Sequence, residues 1–265
     1  MSTTYNDCSD FWNRYPCNAR HGDRAQTDAE YFAQVRAKKY RAEPHLYPFM
    51  EPMAWKNKTV LDVGCGIGTQ SVWFAQAGAE VTSTDFSEIS LDMTIRHTLA
   101  AGIADRVVTR HVDYDEGWVP RVPYDLIWAW GTLHHMKQPT RILRLLADRC
   151  TRPSTTLKMM VYHKHSTKVL RLMLRHGSRW REFTEANAPV PVSDAYSLER
   201  ARALVELSGW KVKSARVAHI FPWSVKHYIR GEFVRGFPWN VVPDSMFKKL
   251  ERKWGFHLLI EARPK

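Results

Sequence analysis

The sequence predicts an α/β fold built on a doubly wound, mostly parallel sheet with a terminal antiparallel strand. Three observations carry that expectation. From Thr59 onward, short apolar runs alternate with helical stretches, the order that βαβ units on a parallel sheet require. The first of these runs passes directly into a glycine-rich bend and then into a helix. The chain finishes on two further runs of strand character. At 265 residues it buries one full core, so a single α/β domain over 56–265 is expected, with residues 1–55 as an N-terminal arm or cap.

The arm is aromatic-rich and holds a helix over 28–41, rich in Ala, Gln, Arg and Lys, with Pro44, Pro48 and Pro52 punctuating its exit. Strands are expected at 59–63, 79–84, 106–111, 124–130 and 155–162. Between them, a helix over 69–77 stops at Gly78. Another over 87–101 starts from a Ser87 cap and stops at Gly102. A third over 140–149 places Ile142, Leu143 and Leu146 on one face. A later helix, 198–208, follows Ser197 and stops at Gly209, and strands over 211–220 and 256–262 close the chain. Two basic, aromatic insertions, about 163–196 and 221–255, fall outside this alternation and are read as a lid or substrate cap. Within the first, 166–176 is an amphipathic basic helix with Val169, Leu172 and Met173 on one side, either a pocket wall or a partner-facing surface.

Composition narrows the function classes. No apolar run approaches the ~20 residues that span a bilayer, and the N-terminal ten residues lack the apolar centre of a secretory signal, so a cytoplasmic protein is expected. The four cysteines, Cys8, Cys17, Cys65 and Cys150, are irregularly spaced without a CxxC pair. Neither a disulfide framework nor a structural metal is indicated. A net charge of +12, from 39 Lys and Arg against 27 Asp and Glu, favours anionic partners: a carboxylate or phosphate substrate, a nucleic acid, or an acidic surface.

The most informative stretch is VLDVGCGIGTQ, residues 60–70. Glycines at 64, 66 and 68 let the backbone turn sharply and approach a ligand closely. The dinucleotide-binding pattern needs its third glycine at position 69, where this chain has Thr69. A Walker loop is excluded because no Gly-Lys-Ser/Thr follows. Asp85 ends the second strand, where an acidic side chain accepts hydrogen bonds from ribose hydroxyls in nucleotide-binding folds of this kind; a helix-capping role for it is compatible.

With Asp62 inside the preceding strand, the bend resembles motif I of class I, Rossmann-like S-adenosylmethionine-dependent methyltransferases. Two further stretches extend the resemblance. In HVDYD, 111–115, the resemblance places Asp113 at the exocyclic amine of adenine, with Asp115 as the alternative. Phe86 and Tyr114 read either as rings sandwiching the adenine or as ordinary core. The run YDLIWAWGTLHHM, 124–136, is similar to the fourth strand and following loop of small-molecule methyltransferases of the ubiquinone and menaquinone type. The resemblance covers 59–162 and implies S-adenosyl-L-methionine as cofactor, seated on Asp62, Gly64, Cys65, Gly66, Gly68, Asp85, Phe86, Asp113, Tyr114 and Trp130. The long separation between the last two strands departs from that pattern.

Methyl transfer from a sulfonium is an in-line displacement, so the protein's tasks are alignment, exclusion of water and, for a neutral nucleophile, removal of a proton. His134 and His135 follow the fourth strand and are candidate general bases. Tyr162, at the end of the fifth strand, is a further catalytic candidate. Arg14, Arg20 and His21 in the aromatic N-terminal run, with Tyr31, Tyr40 and His163, are candidate substrate contacts. The leading expectation is an enzyme that methylates an anionic small molecule at O, N or C. The alternatives are a nucleic-acid methyltransferase, supported by charge and by the aromatics of 221–254, and a cofactor-binding scaffold without turnover. Against the first, the Asn/Asp-Pro-Pro-Tyr/Phe motif of base amino-methylases is missing after the fourth strand.

Overall fold

The computed structural model describes residues 5–23, 25–185 and 189–265. Positions 1–4 of the polar N-terminus and 186–188 of the first insertion lie outside them. The arm begins with α1 (Tyr5–Arg14), and the helix expected over 28–41 is α2 (Asp28–Ala42), followed by the short α3 (Leu46–Met50). A capping box starts α2: Thr27 accepts from the Glu30 backbone N–H at 3.4 Å while the Glu30 carboxylate accepts from Thr27 N–H at 3.2 Å.

Seven strands form the sheet: β1 (Thr59–Val63), β2 (Glu80–Asp85), β3 (Val107–His111), β4 (Leu126–Trp130), β5 (Thr156–Tyr162), β6 (Trp210–Ala218) and β7 (His257–Pro264). Helices α4 (Thr69–Gln76), α5 (Glu88–Ala100), α6 (Pro139–Arg149), α7 (Thr167–His176), α8 (Leu198–Glu206), α9 (Val225–Ile229) and α10 (Asp244–Trp254) connect or cap them. The strand order is β3-β2-β1-β4-β5-β7-β6. Strands β1 to β5 pair in parallel, and β7 runs antiparallel between β5 and β6. The predicted doubly wound sheet with its antiparallel final strand is therefore present.

The burial pattern explains the architecture. Every residue of β4 and β5 is buried, as central strands covered on both faces must be. Alternate residues feed two separate cores. Leu61, Val63, Ile127 and Ala129 face one, with Leu143 and Trp210, while Val60, Leu126, Trp128 and Trp130 face the other, with Phe49 and Phe74. Edge strand β6 carries Lys211, Lys213 and Arg216 and an irregular register between Val212 and Ser214, which discourages further strand addition.

Two expected strand starts move inward for a local reason. Thr155 Oγ1 donates to the Tyr124 carbonyl at 2.6 Å and Tyr124 N–H to Cys150 at 3.0 Å, so residues 124 and 155 tie to the α6 exit rather than entering the ladder. A third cluster, Tyr31, Phe32 and Val35 against Ile67 and Met93, fastens α2 over the glycine bend. Phe32 also stacks on His97 of α5 at 4.2 Å; burying such a ring contributes about 1.5–3 kcal/mol. The arm is thus positioned to form one wall of whatever lies above that bend.

Candidate active site

The order of strands reverses between β1 and β4, the place where a crevice opens beyond the carboxyl ends of an α/β sheet. A cavity of about 1190 Å³ occupies it. The three bend glycines have different duties there. All have left-handed backbone, with φ of 71°, 56° and 74°. A Cβ at Gly64 would stand 2.3 Å from Thr132 Cγ2, and one at Gly68 2.7 Å from Thr94 Cγ2, so those two are glycines for close packing. At Gly66 a Cβ would meet nothing nearer than Cys17, at 3.9 Å, and Gly66 lines the cavity.

Asp85 fixes this bend from the end of β2. Its carboxylate accepts Gly66 N–H at 2.8 Å and Ser87 N–H at 2.9 Å. Burial pushes its pKa up, although these hydrogen bonds oppose the shift. It therefore shapes the bend, starts α5 and still faces the cavity. Gly64, Cys65, Phe86, Asp113, Tyr114 and Trp130 line the same space. The Tyr114 hydroxyl is bonded to Thr84 Oγ1 at 2.8 Å within the core, and the Phe86 ring is half-buried. Asp115 is committed to the start of α6, accepting from Lys137 and Gln138 N–H at 3.0 and 3.2 Å. Asp113 Oδ1 accepts from Asp115 N–H at 2.9 Å.

Several expected site residues stand elsewhere. Asp62 turns away from the cavity: Ser83 donates to Ser71 at 2.8 Å, and Ser71 to Asp62 at 2.6 Å, a buried chain behind the bend. Burial raises the Asp62 pKa to about 7, against the Ser71 hydrogen bond that lowers it. Gly68 caps α4 outside the cavity lining. His134 is fully buried, neither ring nitrogen has a hydrogen-bond partner among the described residues, and its ring packs 3.7 Å from that of Tyr162. It is core, and the expectation of a base at His134 is corrected on that ground. Tyr31 donates to the Ala19 carbonyl at 2.6 Å, and Tyr40 is exposed against Tyr47. His163 is tied to the Gly255 carbonyl at 2.9 Å, and Arg14 is exposed. None of these four lines the cavity.

His135, Tyr162, Arg20 and His21 do line it. His135 Nδ1 lies 2.7 Å from the Val192 carbonyl. A carbonyl only accepts, so Nδ1 is the donor there, and Nε2 is the ring's other nitrogen. That Nε2 faces Glu185 Oε1 at 3.6 Å, and the Tyr162 hydroxyl donates to the same carboxylate. Burial pushes the Glu185 pKa up, but His135, Lys168 and Tyr162 outweigh it and hold the carboxyl at about 2. Tyr162 itself is raised by burial and by Glu185, so it acts here as a hydrogen-bond donor. His21, kept neutral with a pKa near 4 by burial and the nearby lysines, meets the Tyr228 hydroxyl at 3.2 Å.

Sequence reasoning missed Glu185, Lys168 and a polar cluster of Lys39, Glu43, His219 and His257, all on the cavity wall. Glu185 sits in an aperiodic stretch of the first insertion. The cluster is assembled from the arm and the last two strands. The amphipathic pattern of 166–176 was the one usable signal: Lys168, Arg171, Leu172 and Arg175 of α7 form pocket wall.

Comparison with known proteins decides the family. A family model for a methyltransferase domain matches residues 31–215, well over half of the chain. The chain belongs to this methyltransferase family. It is of the class I, S-adenosylmethionine-dependent kind, with that cofactor. Among curated relatives, the ubiquinone biosynthesis O-methyltransferase of Bordetella avium is 37% identical over 93 residues, 35% of this chain and 38% of that one. The 27-O-demethylrifamycin SV methyltransferase of Amycolatopsis mediterranei is 33% identical over 101 residues, 38% and 37% of the two chains. The chain thus spans under two-fifths of the length of these relatives. Among solved structures, the [4+2]-cyclase SpnF superposes with a TM-score of 0.61 at 16% identity, over 100% of this chain and 97% of that one. Magnesium protoporphyrin IX methyltransferase of Synechocystis, with bound S-adenosylhomocysteine, gives 0.60 at 15% identity over 98% and 97%. At such identities the likeness is one of fold.

Proposed function

We propose that this methyltransferase transfers the methyl group of S-adenosylmethionine to an anionic small molecule held in the closed cavity. One observation supports this above all: a single cavity joins the open Gly66 bend to the wall of His135, Tyr162 and Glu185. Its volume exceeds the roughly 300–1,000 Å³ of ordinary ligand pockets, enough for a cofactor and an acceptor together. The fit to the cofactor rests on the free space at Gly66 and on the Asp85 carboxylate beside it. The Gly64–Gly68 bend, Asp85, Asp113 and Phe86 would hold it, and when bound it supplies an electrophilic methyl group.

The remaining work falls to this chain's own side chains. Nε2 of His135 takes the acceptor's proton, and Glu185 stabilises the imidazolium so formed. Tyr162 steadies Glu185 by its hydrogen bond. The arm and the two insertions close over the crevice and exclude water, which strengthens every polar contact inside. For the anionic acceptor, Arg171 and Arg175 line the cavity with no ion pair or hydrogen bond among the described residues, and Lys38 and Arg20 face it as well. The two curated relatives named above are O-methyltransferases or act on a small natural product by name, which favours an oxygen nucleophile. No described helix is long and apolar enough to cross a membrane.

A neighbour of the same fold is a cyclase, so turnover must be tested directly. The purified protein is expected to bind S-adenosylhomocysteine and to label carboxylate-bearing aromatic acceptors from methyl-labelled cofactor. Failure to bind S-adenosylhomocysteine would remove the reading. Label appearing in RNA, with binding that weakens steeply with salt, would replace the small-molecule acceptor.

A further inference from the structure

Glu43 caps the C-terminus of α2, His45 precedes α3 and His257 opens β7, 212 positions further along the chain than His45. The fold brings one donor atom of each within 4.8 Å of the other two. His45 Nε2 and His257 Nδ1 are 2.9 Å apart. With zinc–nitrogen bonds of about 2.0–2.1 Å, two tetrahedral ligands stand roughly 3.3 Å apart, so a small separation of the rings admits an ion. His45 also keeps its other nitrogen, Nδ1, buried and without a partner among the described residues.

The surroundings hold these groups in place. His45 stacks on His219 at 4.8 Å, and His257 meets the edge of Trp130 at 5.7 Å. Glu43 is gripped on one oxygen by Lys39 at 2.6 Å and on the other by Trp130 Nε1 at 3.2 Å, and each oxygen retains a second lone pair. Such outer contacts orient metal ligands. The Lys39 ammonium opposes every divalent cation alike, so selection among them rests on the donor set. Calcium and magnesium draw their affinity from several oxygens, and this site offers one carboxylate. An ion bound mainly through imidazole nitrogen loses less.

We propose that Glu43, His45 and His257 form a three-ligand site for a divalent ion of the zinc class. Glu43 and His257 line the cavity, so the open coordination position faces it and is suited to an oxygen of the bound acceptor. Ion binding itself is independent of methyl transfer; only the use of the open position by an acceptor rests on the proposed function.

The test uses the full chain stripped of metal by chelation. Calorimetric titration with zinc chloride should show one equivalent, and cobalt chloride should give the intense visible absorption of a four- or five-coordinate ion. Magnesium and calcium chloride should show no uptake. Separate His257→Ala, His45→Gln and Glu43→Gln variants should each weaken zinc at least tenfold while melting as folded proteins. Absence of uptake by the native chain would overturn the proposal. So would zinc affinity unchanged in the folded variants, or a cobalt spectrum of the weak octahedral type, which exposed histidines such as His165 would produce. The cobalt spectrum is read on the native chain, so the test stands if a variant fails to fold.

Discussion

The division of labour among the bend glycines is open to direct test by Gly66→Ala beside Gly64→Ala. At Gly66 the backbone has φ 56° and an added Cβ meets only Cys17 at 3.9 Å. The cost is that of one L-residue in the left-handed region, about 1–2 kcal/mol, or roughly 2–8 °C in melting temperature for a domain of this size. At Gly64 the same backbone penalty is joined by contacts of 2.3 Å to Thr132 Cγ2 and 2.9 Å to its Cβ. Thr132 cannot simply turn aside, because its hydroxyl donates to the Val63 carbonyl at 3.0 Å. Overpacking adds about 1–3 kcal/mol, for a total of roughly 2–5 kcal/mol. Thermal melts and calorimetry with S-adenosylhomocysteine should therefore separate the two variants. Gly66→Ala should stay near native stability yet lose at least tenfold in affinity, about 1.4 kcal/mol, because its methyl occupies ligand space. Gly64→Ala should lose stability first. A folded Gly66→Ala that bound the cofactor product with native affinity would refute the placement of the cofactor on this bend.

Asp85→Ala strands two backbone N–H groups and the cavity-facing carboxylate together; each hydrogen bond to a charged group contributes about 1.5–3 kcal/mol, so both the melting temperature and cofactor affinity should fall, and an intact affinity by calorimetry would remove Asp85 from the site. Asp62 keeps its proton in the folded chain up to about pH 7, whereas the unfolded chain releases it near 3.8. Stability should then decline by up to about 4 kcal/mol between pH 4 and 7 and level off above. Urea unfolding of Asp62→Asn, which still accepts from Ser71, should lack that decline. Glu185→Gln should reduce kcat by ten- to a hundredfold with cofactor affinity unchanged, because it leaves the His135 imidazolium without its counter-charge; an unaltered kcat would leave alignment alone as the mechanism. Exchanging both Arg171 and Arg175 for Gln should raise KM for a carboxylate acceptor by at least tenfold without changing KM for its neutral ester.

Much of the fold was legible because its signals are local. The glycine at the end of each of the helices 69–77, 87–101 and 198–208, the serine caps at Ser87 and Ser197, and the apolar run of the fourth strand, Leu126–Trp130, each announce themselves within a few residues. Helix limits in the structure differ from those expectations by one or two positions. Asp62 and His134 show where such reading stops. Both occupy motif positions, yet the first supports the bend through Ser71 and the second fills space under Tyr162, and only the direction of a side chain distinguishes support from contact. Glu185 gave no signal because its stretch is aperiodic, and its role exists only once His135 and Tyr162 close on it.

The acceptor end of the cavity follows a different logic from the cofactor end. Gly64, Gly66, Asp85 and Asp113 come from consecutive βα units, so one stretch of sequence fixes their geometry regardless of what else the chain carries. Lys39, Glu43, Glu185, His219 and His257 come from the arm, the first insertion and the final strand pair, and the two histidines reach the wall because the sheet closes with β7 between β5 and β6. His219 sits at φ 69° where β6 ends, and Phe256 N–H donates to its carbonyl at 2.7 Å, so the strand pair itself delivers both histidines to the wall. On the proposed reading, a change in the 221–255 insertion can therefore alter the acceptor end without touching the glycine bend, whereas α2 packs on that bend directly. The ubiquinone biosynthesis and rifamycin relatives named above match over segments of 93 and 101 residues, while the groups that on the proposed reading would choose the substrate lie largely among residues no short motif describes.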